Sequence, residues 1–146
     1  MMNQQILYKY VKVETEQFAI FEENFKQDVT DSTFQVETYF SFNQAQGVLA
    51  NRMTVIVQQQ SSVILKIVMV DYFKIAEESL SALTNDNRIE FPQSFLQQLA
   101  SLSFGTLRGV LVAKTEGTKL SNLILPPTYI GNLIDKNWGV YVDSCG

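Results

Sequence analysis

The sequence predicts an α+β fold, on three observations. Apolar and polar residues alternate with period 2 through much of the first half. In the second half the apolar residues recur at spacings of three and four. No repeat, linker or low-complexity block divides the chain. Strands first and helices second define α+β. A length of 146 residues makes one domain, residues 1–146, with enough chain to bury a real core.

Residues 6–21, ILYKYVKVETEQFAIF, read as an extended stretch in which Val11 and Val13 alternate with Lys12 and Glu14. Residues 22–32 carry charges and turn formers and read as a loop. The strand pattern is strongest at 33–43, with Phe34, Val36, Thr38, Phe40 and Phe42 on one face. A turn at Gly47 leads to a third strand, 49–60, with Met53, Val55 and Val57 facing one way. Ser61-Ser62 suits a short hairpin connection to 63–75. That last run is nearly all apolar, which suits a strand covered on both faces. Short connections from 33 to 75 favour an antiparallel meander.

AEESLSALTNDNR then reads as a polar, turn-rich connection with Asp86 and Asn87 as candidate caps. Pro92 opens a long helix, carried by Phe95, Leu99, Leu102, Leu107, Val110 and Leu111 to about Lys114, with Gly117 as its C′ residue. Pro126-Pro127 forces an extended approach to a short helix at 128–136. Within the long helix Ser101, Gly105, Gly109 and Ala113 recur every four residues and form one narrow stripe. Each interior Gly costs roughly 1 kcal/mol relative to Ala. The stripe rests on this subunit's own sheet, or Gly105 breaks the helix, or the stripe meets a helix from another subunit.

Composition narrows the chemistry. Charged residues make up 18%, against the usual ~25%. Gln, Asn, Ser and Thr fill the gap. Without histidine there is no Ser-His-Asp triad, Cys-His nucleophile or HExxH zinc site. The single cysteine, Cys145, allows no intramolecular disulfide and no CxxC motif. No cofactor or metal is expected. The formal charge of -4 argues against nucleic acid as a partner. The apolar runs fall short of the ~20 residues a membrane-spanning helix needs, so membrane insertion is not expected. The N-terminus lacks the pattern of a signal peptide, so a cytoplasmic location is expected.

Asp71, inside VMVDYF, is the strongest acid–base candidate; the alternative is a carboxylate near a strand end or bonded to a neighbour. Glu22-Glu23 and Glu77-Glu78 read as solvated loop charges. The aromatics are more informative. Phe18, Phe21 and Phe25 flank a polar connection, Tyr39 and Tyr72 lie opposite most of their apolar neighbours, and Trp138 and Tyr141 fall in a short polar tail. Apolar surface left over from a core marks a partner or ligand groove; core or subunit packing is the other fate open to each ring.

The run from Phe91-Pro92 through the small-residue helix and a polar turn to Leu125-Pro126-Pro127-Thr128-Tyr129-Ile130 resembles the C-terminal half of the SecB family of export chaperones. That family has a Phe-Pro element, a helix rich in small residues, and a Leu-x-Pro-x-Asn-Phe entry to its last helix. Gln93 stands where the family usually has an aromatic, and Tyr129-Ile130 where it has Asn-Phe, so the chain reads as a divergent relative. The resemblance implies a four-stranded antiparallel sheet, a meander with an N-terminal strand. A long helix and a short C-terminal helix would cover it on one side. It implies a homodimer or homotetramer, with Ser101, Gly105, Gly109 and Ala113 at the interface. It also implies ATP-independent binding of unfolded polypeptide clients in aromatic-lined grooves, with Phe18, Phe21, Phe25, Tyr39, Tyr72, Tyr129 and Trp138 as candidates. A translocase motor or a toxin–antitoxin partner is implied in the same way.

Three functions follow in order. The first is a non-enzymatic holdase for extended chains. The second is a small-molecule-binding domain with a pocket between sheet and long helix. The third is an enzyme built on Asp71.

Overall fold

A computed structural model of the chain describes residues 5–29 and 31–142. Four long strands form the main sheet: β1 (Tyr8–Ile20), β2 (Thr33–Asn43), β3 (Val48–Gln59) and β4 (Ser62–Ile75). Their order is β1-β4-β3-β2, every pairing antiparallel, so β2, β3 and β4 make the expected meander and β1 joins it beside β4.

The alternation in β2 holds throughout: Phe34, Val36, Thr38, Phe40 and Phe42 are half-buried and the residues between them exposed. Register places this face beside Leu49, Met53, Val55 and Val57 of β3, and these beside Phe73, Met69, Ile67 and Leu65 of β4. β4 is covered on its other face too, where Val68 and Val70 are only 2% and 5% exposed. Arg52 of β3 reaches over β4 to Glu16 of β1, its Nη1 donating to both carboxylate oxygens at 2.7 and 2.9 Å. The arginine stem supplies apolar cover while its head stays in solvent.

The hairpin between β3 and β4 turns on Gln60-Ser61, one residue before the expected pair. Both residues have positive φ, 49° and 69°, as a tight hairpin turn requires.

The expected connection after residue 75 is instead structured. Helix α1 (Glu77–Leu83) leads into β5 (Thr84–Asn85) and β6 (Arg88–Phe91). Asp86 and Asn87 are the turn between these two strands, at φ 51° and 63°, rather than helix caps. The supposed polar tail also folds: β7 (Trp138–Tyr141) pairs with β6 and completes a second, three-stranded sheet. The short helix expected at 128–136 is only a 3₁₀ turn at Ile130–Leu133. The run LPPTY cannot supply helical backbone ahead of it.

Helix α2 (Gln93–Thr115) starts directly after Pro92 and runs unbroken past Gly105. It ends at Glu116, followed by Gly117 at φ 77°. Its buried residues, Phe95, Leu96, Leu99, Ser103, Phe104, Leu107 and Leu111, make one face. That face meets the β3 and β4 side chains in a single core. Each large aliphatic side chain buried there contributes about 1.5–3 kcal/mol. The space between sheet and long helix is filled by Leu49, Met53, Met69, Phe73, Leu96, Leu99 and Leu107, all essentially inaccessible. The pockets between sheet and long helix lie at its margins, beside Tyr8, Phe95 and Gln98 and beside Phe40 and Leu96.

Candidate functional site

A groove that combines exposed aromatic and aliphatic surface lies beside β2, an edge strand of the main sheet. Thr38, Tyr39 and Phe40 form one wall; Leu96, Leu133, Ile134 and Trp138 form the other, around a cavity of about 250 Å³. Tyr39 is 63% exposed and Leu133 47%, and Asp135, Lys136 and Asn137 complete the lining, so the groove is open and its apolar surface is bordered by polar and charged side chains. Trp138 is half-buried, stacked on Phe91 at 6.1 Å and tilted against Phe40 at 6.3 Å. The second sheet thus fixes its ring while leaving part of it accessible.

The wall formed by residues 131–137 is held by α2. Gln93 donates its backbone N–H to Asn137 Oδ1 (2.8 Å) and its Nε2 to the Ile134 carbonyl (2.9 Å). Gln97 Nε2 donates to the carbonyls of Gly131 and Ile134, both at 3.1 Å. These glutamines satisfy a loop that has no regular ladder of its own. Leu133, Gln93 and Gln97 were not legible as site residues. Gln93 stood out in the sequence only as a substitution for an aromatic.

The seven candidate aromatics do not share one groove. Tyr39 and Trp138 do. Phe18 lies on β1, at the opposite edge of the sheet, where it and Phe25 pack on the core. Lys114 sits over the Phe18 ring at 5.5 Å. Phe21 is half-buried and donates its backbone N–H to the Ile64 carbonyl. Tyr72 lies on the sheet face away from α2, between Glu14, which accepts from its hydroxyl at 3.4 Å, and Lys12. Partial burial raises the Tyr72 pKa, and the Glu14 charge adds to it. Lys12 and Glu14 form an exposed ion pair, which raises the lysine pKa and lowers the glutamate's. Tyr129 is 61% exposed, with its ring against Gly131, where any side chain would collide with it. Most other rings are structural. A chain of contacts from Trp138 through Phe91, Phe95, Tyr8 and Phe73 to Tyr10 joins both sheets and the helix.

The small-residue stripe faces outward. Ser101, Gly105, Gly109 and Ala113 are exposed, and at Gly105 and Gly109 an added Cβ would meet nothing within 4 Å. The reading in which the stripe rests on its own sheet is therefore wrong: that face of α2 belongs to Leu99, Leu107 and their neighbours. Leu102 and Val112 flank the stripe and are also exposed.

Asp71 is fully buried beneath α2, in mid-strand rather than at a strand end. The Tyr10 hydroxyl donates to its Oδ1. Burial raises the Asp71 pKa, while the hydrogen bond from Tyr10 and the nearby Ser103 hydroxyl draw it back partway. Burial and the bond to Asp71 push the Tyr10 phenol above its usual range. Among the described residues no cluster of three or more His, Cys, Asp or Glu could hold a metal, and no helix is long and apolar enough to cross a membrane. Cys145 lies outside the described residues.

An antiparallel sheet with one long helix on one face is the class that this architecture defines. At the level of sequence, neither a family model nor a curated protein matches the chain. At the level of structure it is similar to the SecB-like chaperone Rv1957 of Mycobacterium tuberculosis, solved in complex with a ChAD peptide from the Rv1956 HigA1 antitoxin. The two superpose with a TM-score of 0.52 over 82% of this chain and 89% of that one, at 11% identity. The likeness is one of fold.

Proposed function

We propose that this chain is an ATP-independent binder of unfolded or extended polypeptides, acting as a dimer or tetramer and without a catalytic step. The observation that carries the reading is the open edge of β2 running beside the groove of Tyr39, Leu133 and Trp138. An extended peptide can add to a sheet edge through main-chain hydrogen bonds, which are indifferent to sequence. The apolar groove then takes alternate side chains. The likeness to a chaperone solved with a peptide bound supports the same reading. A peptide segment of an antitoxin-type partner fits this edge better than a translocase motor does. The sheet face away from α2 carries Lys9, Lys12, Arg52, Lys66 and Lys74 against Glu14, Glu16 and Glu37, a mixed surface with more basic than acidic groups. Work in the cytoplasm accords with this reading.

The outward stripe on α2 supports assembly. Missing side chains at Gly105 and Gly109 let a second backbone approach closely, and two copies raise avidity through effective concentration. The test is suppression of aggregation when a chemically unfolded protein is diluted without ATP. Suppression at near-stoichiometric ratios is expected. A Tyr39→Ala/Leu133→Ala variant, altered only at exposed positions, weakens it by about tenfold, equivalent to ~1.4 kcal/mol. Full aggregation in the presence of excess protein refutes the proposal.

A further inference from the structure

Among the described residues three buried side-chain oxygen atoms lie without a hydrogen-bond partner: Asp71 Oδ2, Asn51 Oδ1 and Ser103 Oγ. They belong to one place. Asn51 and Asp71 are cross-strand partners on β3 and β4, pointing to the same face, and Ser103 of α2 acts directly on the Asp71 carboxyl. Each orphaned oxygen would cost about as much as a lost hydrogen bond or more.

The hydrogens these side chains carry bear on the protonation state. The Tyr39 carbonyl, an acceptor only, lies 3.3 Å from Asn51 Nδ2 and sets the orientation of the amide, whose other hydrogen goes to Thr38 Oγ1, so its Oδ1 faces away from both partners. Asp71 Oδ1 already accepts from Tyr10. With an ionised Asp71, two acceptors, Asp71 Oδ2 and Asn51 Oδ1, share one free hydrogen, that of Ser103. With a neutral Asp71 there are two hydrogens: the acid proton on Oδ2, available to Asn51 Oδ1 on the cross-strand partner, and that of the Ser103 hydroxyl near the carboxyl. The number of hydrogens then matches the number of acceptors.

We propose that Asp71 is a neutral carboxylic acid in the folded protein, and that its proton closes a buried cluster that latches edge strand β1 to helix α2. Tyr10 makes the mechanical link, donating to Asp71 while lying 3.1 Å from Thr106 Oγ1 of α2. Around Asp71 stand Tyr10 from β1, Asn51 from β3, and Ser103 and Thr106 from α2; of these only Tyr10 titrates, and no charged group is among the causes that set the acid's pKa. Ionisation removes a hydrogen and buries a charge that no cation offsets, so it loosens the latch. The residues beside the latch on α2, Leu102 and Gly105, are exposed, so its state bears on the same helix face that a second copy would use.

The sign follows from linkage. A raised folded-state pKa means the folded form holds a proton that the unfolded form has lost. Stability from this group is complete below the ordinary carboxylate value, 3.8, and is lost as pH rises through the folded value. The isosteric Asp71→Asn variant supplies N–H donors at every pH. The folding constant of the wild type relative to Asp71→Asn should fall tenfold per pH unit across that window, then level off. Above the window, β1 amides should exchange faster in the wild type than in the variant. In the wild-type protein the Asp71 carboxyl ¹³C resonance should keep its neutral-acid position well above the ordinary carboxylate range. That measurement decides the question even if Asp71→Asn does not fold. A carboxyl that titrates at or below the ordinary value, or a stability ratio flat with pH, overturns the proposal, and neither result depends on polypeptide binding.

Discussion

Replacing Gly105 and Gly109 together by Ala separates the protomer from the assembly, because the two respond with opposite sign. Each glycine sits in the interior of α2, and an added Cβ meets nothing within 4 Å in the single chain. Glycine costs a helix interior about 1 kcal/mol relative to alanine, so the isolated protomer should gain about 2 kcal/mol. In an assembly with the stripes face to face, two-fold symmetry places four new methyl groups where backbones are closest. Overpacking of that kind costs about 1–3 kcal/mol per site. The dimer dissociation constant should therefore rise at least tenfold, the equivalent of ~1.4 kcal/mol. Light scattering over a protein concentration series reads the assembly, and urea unfolding at the lowest concentration reads the protomer. A variant that is more stable at every concentration and assembles unchanged would show that the stripe faces solvent. A variant less stable as a protomer would show that this helix face is already covered.

Three further outcomes are expected. Tyr10→Phe keeps the ring against Phe73 but strips Asp71 Oδ1 of its donor, costing about 1–3 kcal/mol in urea unfolding. Because the Tyr10 bond draws the Asp71 pKa down, its loss raises that pKa, and the fall in stability extends to higher pH; a window unmoved by the variant contradicts this. Gln60-Ser61→Asn-Gly suits the two positive φ angles of the β3–β4 turn and should raise stability by about 1 kcal/mol, read as a higher unfolding midpoint with unchanged slope. Gly139→Ala drives a methyl group into the Ile89 carbonyl and pries β7 from β6, at a cost of about 1–3 kcal/mol. Trp138 fluorescence should shift to the red; unchanged emission would mean that β7 does not hold the ring.

The main sheet was legible because its signal is local and repeated. In β2 five apolar or β-branched residues alternate without a break, and the strand spans Thr33–Asn43 as read. Helix α2 was equally clear, from Pro92 to Gly117, since its apolar spacing persists over more than five turns. The second sheet was not, for two physical reasons. β5 has two residues and β6 and β7 four each, too few for any periodicity, and β7 pairs with a strand some fifty residues earlier. Its hairpin turn uses Asp86-Asn87 in place of the Asn-Gly or Asp-Gly that would have announced it.

The candidate site was half legible for the same reason. Tyr39 announced itself as an aromatic on the wrong face of a strand, whereas Trp138 was placed in a tail because its neighbours in β6 were not visible as a strand. In the sequence the uncharged polar residues show only as replacements for charge. Several serve the fold: Gln93 and Gln97 hold the groove wall, Gln59 bonds to the loop after β1, and Asn51 lies in the buried cluster.

Trp138 is the chain's sole tryptophan and lines the proposed groove, so it reports occupancy directly. Titrating the protein with an unfolded, tryptophan-free polypeptide, without ATP, should move its emission to the blue along a saturable curve. The Tyr39→Ala/Leu133→Ala variant should shift that curve to weaker affinity. Emission unchanged at high polypeptide concentration, with the protein still folded, would contradict binding at this groove.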